Sequence, residues 1–207
     1  MPIELMPEQK RYESTISEED SKTAIYIDFE GFMSKPPTLM GWCCDRHFAQ
    51  IVFDHALQSA ASAKGLSVQE GRAAVADLLA RAKRERRRIV AYSQFEKNVS
   101  FDKLGVDLSP VYADARFIAV KWLRQLKRRH PNWQQTNPNW DIDRNLKSFF
   151  DLIGYRRPIH LGIEKTTSRI KHVKEQLITR ETFDALTPVA KAKWTKLLDH
   201  NRMTSWE

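Results

Sequence analysis

The sequence predicts an α/β domain, a mixed five-stranded central sheet flanked by helices. Runs of strand formers at residues 24–32, 39–44 and 47–54 are separated by the turn signals "KPPT" and "DR", which reads as a three-stranded antiparallel meander. A helical stripe follows, and then "RRIVAYS" and "VYADA", two short apolar runs each leading into a helical pattern. A meander continued by strand–helix units makes the sheet mixed.

Residues 1–22 are polar and acidic with no sustained period and read as a flexible lead-in, so the ordered domain is expected over residues 23–207. The first strand, "AIYIDFEGF", alternates. Ile25, Ile27 and Phe29 point to one face, and Tyr26, Asp28 and Glu30 to the other. Ser67 with Glu70 three positions on reads as a capping box, after which Val68, Val75, Leu78, Leu79 and Ala82 share a helical face. A helix is expected from about Gln94. Further helices are expected from the spacing of Ile118, Trp122 and Leu126, and from that of Ile170, Val173 and Leu177, with the irregular "HPNWQQTNPNWD" between them. The last helix is the best signalled: Thr187 as N-cap, Pro188 at the first helical position, and Ala190, Trp194, Leu197 and Leu198 on the buried stripe.

At 207 residues the chain fits one domain with a core of its own. Cys43 and Cys44 are adjacent, a poor arrangement for an unstrained bridge, and no apolar signal or span opens the chain, so a soluble, cytoplasmic protein with no membrane partner is expected. The net charge of +8 favours a polyanionic partner such as nucleic acid. Taken singly, "RAKRERRRI" and "RQLKRRH" are equally well read as solvated helix faces.

His130, His160 and His172 lack zinc-site spacing, and two adjacent cysteines make no zinc knuckle. Walker A, dinucleotide-binding and Gly-x-Ser-x-Gly patterns are absent from the sequence, so P-loop hydrolysis and acyl transfer have no support.

Asp28 and Glu30 are the chemistry-bearing pair. On an edge strand they would only discourage aggregation. On an inner strand, two neighbouring carboxylates repel unless a cation lies between them, and a hard divalent ion such as Mg²⁺ or Mn²⁺ meets that need. In two-metal phosphodiester chemistry the ions sit roughly 3.5 to 4 Å apart. Glu96, at the end of a buried strand where α/β sheets present ligands, is the next candidate, although an acid there also suits a helix N-terminus.

"YIDFEGF", "IVAYSQFEK" and a terminal helix carrying "HNRM" resemble the DEDD superfamily of 3′-to-5′ exonucleases, and more particularly bacterial ribonuclease H-like predicted nucleases with Glu in the second motif. The resemblance runs from about Thr23 and implies a ribonuclease H-like fold with the first strand in the middle of the sheet. It implies a two-metal Mg²⁺ or Mn²⁺ site with Asp28, Glu30 and Glu96 as ligands, Asp28 bridging the ions, and Asp114 in support. His200 takes the place of the general base, suited by the near-neutral pKa of imidazole. The family would place Asp at position 204, and this chain has Thr204.

A hydroxyl is a weaker Mg²⁺ ligand than a carboxylate. Asp199, about 100° round the helix from His200, and Glu207 at the last position are the nearby acids. An inactive relative, an altered chain and a rebuilt final motif all remain open.

Arg156 and Arg157, with Lys165, Arg169 and Lys171, supply cations for backbone phosphates. Trp133 and Trp140 suit either base stacking or pinning a loop onto the core. The expected function is therefore a divalent-metal-dependent nuclease acting on DNA or RNA ends. Its rivals are an inactive nucleic-acid-binding relative and a protein interaction module.

Overall fold

A computed structural model describes residues 7–32, 34–130, 146–155, 158 and 165–206. Its six-stranded sheet has the order β4-β3-β2-β1-β5-β6. The strands are β1 (Ile25–Gly31), β2 (Pro37–Cys44), β3 (His47–Val52), β4 (Ser67–Val68), β5 (Ile89–Ala91) and β6 (Tyr112–Asp114). The antiparallel meander β1-β2-β3 forms as expected. On the other side of β1, β5 and β6 add in parallel, which makes β1 an inner strand.

The sixth strand is a departure from the expected five. Ser67 does not cap a helix; Ser67 and Val68 pair in parallel with Ile51 and Val52 of β3. The helix start falls to Glu70, whose carboxylate accepts hydrogen bonds from the backbone N–H groups of Arg72 and Ala73. Capping by the acid leaves Ser67 and Val68 free to extend the sheet.

The helices are α1 (Pro7–Glu13), α2 (Glu18–Thr23), α3 (Gln58–Ser62), α4 (Gly71–Glu85), α5 (Gln94–Leu104), α6 (Ala115–Arg129), α7 (Leu146–Leu152), α8 (Thr166–Arg180) and α9 (Pro188–Trp206). The segment read as a lead-in thus carries two helices, and it reaches the core: Glu13 is buried against Lys97 at 2.8 Å. Arg88 adds a second tie, its guanidinium donating to the carbonyls of Tyr12 and Thr15.

Two apolar layers enclose the sheet. Ile25, Ile27 and Phe29 of β1 pack with Val75, Leu78 and Ala82 of α4. On the opposite face, Leu39 and Val52 meet Ile170, Val173 and Leu177 of α8 and Ala190, Trp194 and Leu197 of α9. The Trp194 indole N–H donates to the Ala60 carbonyl at 3.0 Å, which satisfies its one polar group in the core. Thr187 caps α9 as predicted, accepting from the Ala190 N–H.

The acid-bearing face of β1 is the α8–α9 side, because Glu30 is paired directly opposite Leu39. Farther along the same face, Ala115 and Ile118 of α6 join Ala24, Tyr26, Val90 and Ala113. Trp122, one of the residues whose spacing predicts this helix, is 42% exposed, and Leu123 is buried instead. Steps of four residues advance 400°, so the stripe drifts off one face.

At the end of β1 the register shifts between Glu30 and Gly31. A Cβ on Gly31 would lie 3.0 Å from the Thr38 backbone nitrogen, so this close crossing needs glycine. Cys43 and Cys44 are free, buried thiols, and among the described residues no helix is long and apolar enough to cross a membrane.

Candidate active site

The site gathers at the C-terminal ends of the parallel strands β1 and β5. β1 delivers Asp28 and Glu30, and the chain leaving β5 enters α5, where Ser93 caps the helix and Glu96 lies in the first turn. The Ser93 hydroxyl donates to Glu96 Oε2 at 3.1 Å. Helix α9 crosses β1, β2 and β3 and brings His200, Asn201 and Thr204 over the acids.

Asp28 is held by two side chains from α9. The Thr204 hydroxyl donates to its Oδ2 at 2.6 Å, and the Asn201 amide donates to the same oxygen at 3.1 Å and to the Asp28 backbone carbonyl at 3.1 Å. Asn201 is fully buried, and its Oδ1 accepts from Gln50 Nε2 at 2.9 Å, which turns its amide N–H groups toward Asp28. His200 Nε2 stands 3.7 Å from Glu30 Oε1.

Burial is the largest influence on all three acids. It raises Asp28 to about 6, against the lowering effect of the Thr204 and Asn201 hydrogen bonds. Burial and then repulsion from Asp28 raise Glu96 to about 8. Glu30 is pushed well up by burial and by Asp28, and is eased by a hydrogen bond from Thr166 and by the positive charge of Arg169. The acids therefore sense one another in a low-dielectric setting, which is the electrostatic condition that a divalent cation relieves.

Hard carboxylate oxygens suit Mg²⁺ or Mn²⁺. Among the described residues, no three His, Cys, Asp or Glu side chains are gathered as a ligand group. Beside Glu30 lies a cleft of about 190 Å³ that includes Phe32, Lys35, Phe95, Thr166 and Thr167, leaving room for a ligand at the carboxylate.

Other expected residues fall elsewhere. Asp114 is buried at the end of β6, but its Oδ1 caps α6 by accepting from the Arg116 and Phe117 N–H groups. Burial raises its pKa, and the neighbouring charges that act on it include Arg116 and Glu13. Asp199 is exposed and lies by Phe48, Gln50 and Arg202, away from Asp28. Arg169 is 7% exposed, donates to the Lys196 carbonyl and lies near Glu30, so it is not a surface cation. Lys165 and Lys171 are exposed. Arg156, Arg157, Trp133, Trp140 and Glu207 lie outside the described residues.

Asn201, Gln50, Ser93 and Thr166 were not anticipated. Asn201 had a signal, because positions 194, 197, 198 and 201 continue the buried stripe of α9, and a polar residue there needs a polar partner. No protein-family model, curated protein or solved structure matches the chain.

Proposed function

We propose that the chain is a divalent-metal-dependent nuclease of ribonuclease H-like architecture that hydrolyses phosphodiester bonds, with 3′ ends of DNA or RNA as its substrates. The observation that carries this reading is the burial of Asp28, Glu30 and Glu96 in mutual electrostatic contact at the ends of β1 and β5. The inner position of β1, between an antiparallel meander and parallel strands, supports the architecture. Asp28, Glu30 and Glu96 would hold Mg²⁺ or Mn²⁺, which when bound supplies Lewis-acid activation of water and of the phosphoryl oxygen. His200, 3.7 Å from Glu30, would take a proton from the attacking water.

A second reading is favoured by the Thr204–Asp28 hydrogen bond. Thr204 and Asn201 occupy Asp28 Oδ2 with donors, and a chain so arranged would bind nucleic acid without cutting it.

Labelled single- and double-stranded DNA and RNA incubated with Mn²⁺ separate the two. Stepwise 3′ shortening that Asp28→Ala abolishes supports the nuclease. Binding without shortening, converted to cutting by Thr204→Asp, supports the non-cleaving relative. Neither binding nor cutting in any variant defeats both.

A further inference from the structure

The basic run "RQLKRRH" lies on α6, and its placement gives it a role that the sequence left open. Helix α6 carries Arg116, Lys121, Arg124, Lys127, Arg128 and Arg129 and no acid. Some cations on other helices are met by acids, Arg81 by Glu85 at 3.0 Å on α4 and Lys171 by Glu175 at 3.8 Å on α8. Among the described residues, no acid lies within salt-bridge range of Lys121, Arg124 or Arg128.

At 100° per residue, Phe117, Lys121, Arg124 and Arg128 fall within an arc of about 60°, and all four are exposed. They form one stripe along the helix. Its position matters as much as its charge. Ala115 and Ile118 pack α6 onto the same face of the sheet that bears Asp28 and Glu30. The helix starts at the C-terminal end of β6, two strands from β1, or about 10 Å at ordinary strand spacing. Helices α8 and α9 cover the β2–β3 side of that face, so the acids lie between α9 and α6.

We propose that the α6 stripe is the track for the sugar–phosphate backbone of a single nucleic-acid strand whose end reaches the Asp28–Glu30 pair. Lys121, Arg124 and Arg128 neutralise successive phosphates, and Phe117 offers a ring for an unpaired base. Spacing of one helical turn between cations, about 5.4 Å, is close to the separation of phosphates along an extended strand. An anionic membrane fits less well. Phe117 and Trp122 lie about 140° apart around the helix, so they make no common apolar face for insertion.

The inference rests on the nucleic-acid reading above but is tested without cleavage. Fluorescence anisotropy of a fluorescein-labelled 20-mer DNA or RNA strand, in chelator across a salt series, compares the full chain with Lys121→Gln/Arg124→Gln/Arg128→Gln. The control Arg72→Gln/Lys83→Gln/Arg84→Gln removes the same charge from α4 on the opposite face. The α6 triple is expected to bind at least tenfold more weakly, with the slope of log K against log salt reduced by about 2, while the control loses less than threefold. Equal losses in the two triples, no loss in the α6 triple, or no strand binding by the parent chain would each overturn the track. Binding to vesicles of anionic phospholipid in preference to the oligonucleotide, lost in the same triple, would reassign the stripe to a membrane. Because binding is read in chelator, a parent chain that binds the strand but does not cut it with Mn²⁺ would count against the catalytic reading and not against this one.

Discussion

Thr204 donates its hydroxyl hydrogen bond to Asp28 Oδ2 at 2.6 Å, joining the last helix to the central strand through the acid on which the proposed chemistry depends. The bond stabilises a charged Asp28 by supplying a neutral donor where the resemblance implies another carboxylate. Replacing Thr204 by Asp removes that donor and sets two carboxylates in contact. In chelator, Thr204→Asp is expected to lower stability by about 1–3 kcal/mol. Added Mn²⁺ reverses the loss and stabilises the variant more than the parent, through selective binding to the folded state. Thermal denaturation with and without Mn²⁺ checks both halves; an equal Mn²⁺ response in the two proteins would count against a metal site at Asp28.

Glu96 gives a pH dependence with a definite sign. Its folded-state pKa is raised from 4.5 to about 8, so the folded chain retains a proton that the unfolded chain has lost. The resulting stabilisation is fully present below about pH 4.5 and disappears as pH rises through 8. Asp28, raised to about 6, acts in the same direction at lower pH. Metal-free protein should therefore lose stability between pH 5 and 8, on the order of a few kcal/mol at about 1.4 kcal/mol per pKa unit. Glu96→Gln should flatten much of that fall and melt higher than the parent at pH 8. Urea titrations across the range measure it, and a parallel fall in Glu96→Gln would remove Glu96 as its source.

The core of the site could be read from local patterns. Alternation in "YIDFEG" put Asp28 and Glu30 on one face, and a short apolar strand followed by Glu96 put a third acid at the sheet's end. Four-residue spacing placed Thr204 on the His200 face of α9, and both side chains reach β1. What escaped depends on partners distant in sequence. Gln50 meets Asn201 across 151 positions, and no local period marks that pair. Glu13 lies in a polar run whose only clue to burial is Lys97, 84 residues on. Ser67 looked like the cap because Ser is the commoner cap than Glu, yet β3 offered Ser67 and Val68 a strand edge.

The Glu13–Lys97 pair tests whether the N-terminal helix belongs to the folded unit. Both side chains are nearly buried, and Lys97 Nζ reaches the two carboxylate oxygens at 3.0 and 2.8 Å. Glu13→Ala leaves a buried ammonium without its counterion and should cost about 3–5 kcal/mol. Glu13→Leu combined with Lys97→Met removes both charges and should recover most of that loss. Urea denaturation of the three proteins decides it. A neutral Glu13→Ala would mean that α1 contributes nothing to stability.

Gln50 and Asn201 should be energetically coupled, because they act on Asp28 in series. Gln50 donates to Asn201 Oδ1 and to the Leu198 carbonyl, and Asn201 then donates to Asp28. Asn201→Ala strips a donor from a buried carboxylate and a partner from Gln50, at a cost of about 1–3 kcal/mol. Gln50→Ala frees Asn201 to turn its amide, which would aim a carbonyl oxygen at Asp28 and weaken the same hold. The double variant should therefore lose less than the sum, by at least 0.5 kcal/mol as roughly expected for residues in one hydrogen-bond network. Chemical denaturation of the four proteins closes the cycle. Mn²⁺ affinity in the Gln50→Ala protein then separates positioning from plain stability: a change with the fold intact means that Gln50 sets the geometry of Asp28, and an unchanged affinity means that it only braces α9 against β3.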